Sequence, residues 1–106
     1  YILRRLIIQN AKINFNFSNN FYSLNEVDLS FSRRVHFDKN VLFMNSQNLL
    51  TMKLKDFEIN STFLMFYLNF GLFKSLNFVD LSENQIEFIE NNTFKSNHNL
   101  KHLNLS

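Results

Sequence analysis

The sequence predicts an α/β solenoid, with short parallel strands on its concave face and loops or short helical turns on its convex face. Three observations predict it. Leu76 opens LNFVDLSENQI and Leu100 opens LKHLNLS, and both fit L-x-x-[L/V]-x-L, which the first extends with x-x-N-x-I. The same register runs back to LLTMKLKDFEI at Leu49, LNEVDLS at Leu24 and LRRLIIQNAKI at Leu3, in steps of 21, 25, 27 and 24 residues. Finally, Phe43, Phe70 and Phe94 each stand six residues before the next start, whereas Phe17 stands seven before Leu24.

Each element follows from its pattern. The x-L-x-L stretches alternate with period two, so each is a short strand with one face inward. Stacked in parallel, they bury their leucines against those of neighbouring segments. The outward positions are then Arg5 and Ile7, Glu26 and Asp28, Thr51 and Lys53, Phe78 and Asp80, and His102 and Asn104. The returning stretches carry the phased Phe, which fills the wide convex side and can bury roughly 150–250 Å². Where the chain leaves a strand, inward backbone groups need partners, and an amide at Asn84 supplies donor and acceptor at once. Ser32 fills the same slot with a small polar group, while Ala11 and Phe57 cannot bond there. The stretch Phe63–Phe73, FLMFYLNFGLF, is almost wholly apolar. It reads as the aromatic core of an enlarged segment, with Gly71 easing a tight turn; the competing reading is a short helix with an exposed apolar face.

Composition sets the bounds. The chain has 106 residues, 45% hydrophobic and 19% charged, which suits one globular unit. A formal charge of +2, with Arg4–Arg5 and Arg33–Arg34 standing as pairs and not runs, gives no footprint for nucleic acid. Absence of cysteine excludes a disulfide framework and the usual zinc site. No apolar run reaches the roughly 20 residues of a spanning helix, and YILRRLIIQN lacks the order of a signal peptide. A single Gly and no Pro leave no visible linker, so residues 1–106 read as one segment. Because it opens and closes in strands, it reads as a piece of a longer array, joined to a membrane only through parts outside it.

The motif, the 24-residue step, the strand ends VDLS and LNLS, and the phased Phe resemble the typical class of the leucine-rich repeat superfamily over nearly the whole chain. ENNTFKSNHNLKHLNLS is similar to Toll-like receptor ectodomains in particular. The resemblance implies an extracellular or cell-surface curved solenoid whose concave sheet and flanks bind ligands or sister receptor chains. The chain departs from the pattern in its missing loop prolines, its uneven early steps and its incomplete Asn ladder. A cytoplasmic repeat scaffold is the alternative.

The candidate sites follow. Along the outward strand positions charge alternates in sign, which suits a protein or peptide partner better than a uniform polymer. Recognition is expected to centre on Lys53, Phe78 and Asp80, with Glu26, Asp28, Thr51 and His102 around them; Phe78 is the aromatic anchor. Four glycosylation sequons begin at Asn16, Asn60, Asn91 and Asn104, where chance in so Asn-rich a chain would give roughly two. The first three fall in returning loops, whereas a glycan on Asn104 would obstruct the strand face. His98 and His102 have the i, i+4 spacing of a helical metal pair, but they straddle a loop and a strand, so no metal is expected. Asp80 and Glu83 could be imagined as acid and base, yet no nucleophile–base set, P-loop or GxGxxG accompanies them. The expected function is therefore binding, without catalysis or cofactor.

Overall fold

The computed structural model describes residues 4–14, 24–36, 48–68 and 70–106. In chain order the elements are β1 (Arg5–Ile7), β2 (Lys12–Asn14), β3 (Glu26–Asp28), β4 (Arg33–His36), β5 (Thr51–Lys53), α1 (Ser61–Tyr67), a 3₁₀ turn (Phe70–Leu72), β6 (Phe78–Asp80) and β7 (His102–Asn104). Leu3, Asn16, Phe17 and Phe43 lie outside the described residues.

Five strands form one sheet in the order β1-β3-β5-β6-β7. Every adjacent pair is parallel, and the register aligns Arg5, Glu26, Thr51, Phe78 and His102 in one row. Ile7, Asp28, Lys53, Asp80 and Asn104 form a second row. Aligned residues are thus 21, 25, 27 and 24 apart, the spacing of the leucine starts. Between the two rows, Leu6, Val27, Met52, Val79 and Leu103 point to the opposite face. Sequential parallel strands joined by long returns are compatible with an α/β solenoid-like arrangement.

The core lies behind this sheet. Leu24, Val27 and Leu29, then Leu49, Met52 and Leu54, then Leu76, Val79 and Leu81 are all buried in one cluster. Fully burying such a side chain stabilises by about 1.5–3 kcal/mol. Phe57, Ile59, Phe63, Leu64, Leu68, Phe70 and Phe73 complete the cluster from the returning side. The Phe70 ring lies 6.3 Å from Phe73 and 4.7 Å from half-buried Phe94.

Two local devices keep the strands short. An Asp or Asn closing a strand turns its Oδ1 back onto the backbone two residues on, the Asx turn. Asp28 accepts from Ser30 N at 3.0 Å, Asp80 from Ser82 N at 2.9 Å, and Asn104 from Ser106 N at 3.1 Å. Three residues beyond the strand, the backbone enters the left-handed region at one fixed phase: Asn10 (φ 55°), Phe31 (φ 62°), Asp56 (φ 49°) and Glu83 (φ 57°). There the N–H groups of Phe31, Asp56 and Glu83 donate to the carbonyls of Lys55, Ser82 and Ser106 in the following segment. A left-handed non-Gly residue costs roughly 1–2 kcal/mol, so these bonds offset real strain.

The returning stretches differ from expectation in three respects. β2 and β4 pair in parallel as a second, two-stranded sheet, where only loops or helical turns are expected. The apolar stretch 63–73 is both core and surface. In α1, Phe63 and Leu64 are buried while Met65 and Phe66 are exposed, and in the turn Phe70 is buried while Leu72 is exposed. Asn60 fixes where the helix starts, accepting from Phe63 N at 2.7 Å as its N-cap. Gly71 does not use a positive φ, so its supposed easing of a tight turn is not a left-handed one.

Candidate functional site

The outward rows of the sheet carry the candidate site, because alternation places every second strand side chain there. At one end, Arg5 donates from Nε and Nη2 to Glu26 Oε2 at 3.1 and 3.0 Å. This pair is solvent-exposed on the arginine side and contributes at most about 1 kcal/mol. At the other end Phe78 sits half-buried in register between Thr51 and His102. Its ring centroid is 5.9 Å from that of His102, and Lys53 Nζ reaches over it at 6.0 Å. Thr51, Lys53, Phe78 and His102 thus form one contiguous surface: an aromatic centre, one cation, one imidazole and one hydroxyl.

The carboxylates have different surroundings. Lys53 lies in register between Asp28 and Asp80, so charge alternates along the second row. Asp28, however, is only 7% exposed. Its Oδ1 accepts from Ser30 N, and its Oδ2 from Gln9 Nε2 at 2.8 Å. It stands in the outward row, but both of its oxygens are engaged, so it shapes the face and presents no open carboxylate. Asp80 is half-buried, and its Oδ1 also accepts from the Ser82 hydroxyl at 2.6 Å. The VDLS and LNLS strings held the signal for this: Asp or Asn two residues before Ser is the signature of the turn.

Behind the face, polar bridges fix its register. Asn84 Oδ1 accepts from Phe57 N and Ile59 N, both at 2.9 Å, and Asn84 Nδ2 donates to Leu54 O at 2.8 Å and Leu81 O at 2.9 Å. Ser32 Oγ accepts from Ala11 N at 3.3 Å and donates to Ile8 O at 3.2 Å. On the returning side, buried Asn97 donates to Phe70 O and Phe73 O at 2.8 and 3.0 Å.

A second feature went unread in the sequence. A groove of about 330 Å³ runs beside the sheet, lined by Asn10, Phe31, Ser32, Arg33, Asp56 and Glu58. The Phe31 ring is exposed there, with Lys55 Nζ 5.7 Å from its centroid, and Arg33 stands 3.8 Å from Glu58. Asn10 and Asp56 are of types that visit the left-handed region, but Phe31 and Glu58 (φ 58°) are not, so the groove was legible only in part.

Asn60 and Asn91 are exposed, whereas Asn104 lies in β7 with its Oδ1 engaged by Ser106. His98 is in the loop before β7, and His102 faces Phe78. Among the described residues, no three His, Cys, Asp or Glu side chains are grouped to hold a metal ion. No helix among them is long and apolar enough to cross a membrane. Comparison with family models finds no match, and comparison with curated proteins finds none either.

Proposed function

We propose that this chain is a leucine-rich repeat segment of the typical extracellular class, part of a Toll-like or similar cell-surface receptor. It recognises a protein or peptide ligand, or a sister receptor chain, through the concave sheet. The observation that carries this reading is the contiguous surface of Thr51, Lys53, Phe78 and His102. An aromatic held half-buried by neighbours loses little further freedom on binding, the property of an interface anchor. Mixed charge around it selects a complementary partner and sets the encounter rate.

The repeat reading draws support from the sequential parallel strands, the fixed left-handed phase and the Asn84 bridge. Recognition uses a preformed surface, and no side chain is assigned a chemical step or a cofactor. The test substitutes Phe78→Ala and Lys53→Ala together in the parent protein. Retention of the main species captured by the wild type should fall at least tenfold. Unchanged retention would remove the sheet centre from the binding reading. A parent chain found in the cytosol with unmodified sequons would favour an intracellular scaffold instead.

A further inference from the structure

We infer that an N-linked glycan on Asn91 lies across the apolar cleft between Met65 and Phe88 and covers it. This rests on the secretory reading proposed above. Two sequons converge on this one cleft. Ser61, the middle residue of Asn60-Ser61-Thr62, and Thr93, the last of Asn91-Asn92-Thr93, both line it, together with Leu64, Met65, Phe88, Ile89 and Glu90. Its walls belong to α1 and to the stretch that follows Asn84, so it forms a seam between two successive segments.

The seam is tied by hydrogen bonds and walled by Leu64, Met65, Phe88 and Ile89, yet it is open to solvent. Ser61 Oγ accepts from Glu87 N at 2.8 Å and Phe88 N at 3.1 Å, which ties the Phe88 stretch to the start of α1. Phe88 is nevertheless 55% exposed and Met65 37% exposed. The cleft admits only about 10 Å³, room for about one water, so an occupant must lie over it and not inside it. A pyranose ring suits that demand: its C–H face packs flat on an aromatic ring while its hydroxyls stay in water.

The two sequons are not equivalent as attachment points. Asn60 is the N-cap of α1, its Oδ1 accepting from Phe63 N, so a glycan on its Nδ2 leaves in the direction that this bond fixes at the start of the helix. Asn91 is exposed, opens the turn at residues 91–96, and follows Phe88 by three residues. A glycan leaving Asn91 starts between Glu90 and Thr93, both of which line the cleft.

The test uses the parent protein secreted from animal cells. Peptide mass spectrometry reads occupancy at each sequon, and hydrogen exchange reads residues 61–67 and 86–90 before and after enzymatic removal of glycans. The expected result is an occupied Asn91, faster exchange in both stretches after removal, and higher binding of an apolar dye. Asn91→Gln should reproduce these changes. In Phe88→Ser, glycan removal should no longer alter exchange or dye binding. Occupied sequons elsewhere with Asn91 bare, or an Asn91 glycan whose removal changes nothing, would overturn the inference alone. A parent chain without glycan at any sequon would overturn the secretory reading with it.

Discussion

Ser32 and Asn84 occupy the same phase of their segments and bridge to the preceding segment in the same way. Each accepts a backbone N–H, from Ala11 and Phe57 respectively, and donates to the carbonyl three residues before it, of Ile8 and Leu54. The longer amide does more, reaching Ile59 N and Leu81 O as well. Asn84→Ala should therefore destabilise the chain by about 3 kcal/mol, since it strands several backbone groups, and Ser32→Ala by only about 1 kcal/mol. Urea unfolding of the two variants measures this difference. Equal losses would mean that the shared geometry carries little energy.

Asp28 is predicted to matter through its turn and not through its charge. Asp28→Ala removes the acceptor for Ser30 N and Gln9 Nε2, at a cost of about 1–2 kcal/mol. Asp28→Asn should lose well under half of that, because Asn104 makes the same turn with an amide. Thermal unfolding of both variants decides it; a larger loss in Asn than in Ala would contradict the Asx account.

Phe31 is the bulkiest of the left-handed residues, and its ring is exposed. Asn, which tolerates that region, should raise stability by about 0.5 kcal/mol in Phe31→Asn, after the loss of the Lys55 contact is counted. A fall of similar size in the unfolding midpoint would show that the ring contributes more than its backbone costs.

Phe57 and Phe88 separate core from surface. Phe57 is fully buried, and Phe57→Ala should cost about 3–5 kcal/mol. Phe88→Ala should stay within about 0.5 kcal/mol, as its ring is largely in solvent. Parallel denaturation curves of the two check the placement of the core.

The strand register was legible because period-two alternation survives sequence bias: aligned Cα partners fall at the spacing of the leucine starts. Asn84 was legible for the same reason, since its phase is fixed by the motif. The face itself was legible only in outline. Alternation places Asp28 outward, yet a short side chain beside a following N–H folds back onto the backbone, and Gln9 closes over it. The groove beside Phe31 was legible only in part: Asp56 is of a type that visits the left-handed region, whereas Phe31 is held there by the tertiary bond from its N–H to the next segment. In the stretch 63–73, apolar residues all round give no period, so the split between buried Phe63 and exposed Phe66 depends on what α1 packs against.

The most direct measurement places a photo-crosslinking amino acid at Thr51, Phe78 or His102 in the parent protein on living cells, with Phe31 and Phe88 as comparison positions. The account predicts crosslinks to one protein or peptide species from the three sheet positions, strongest from residue 78 and absent from residue 88. Crosslinks from residues 31 or 88 alone, with none from the sheet, would contradict it.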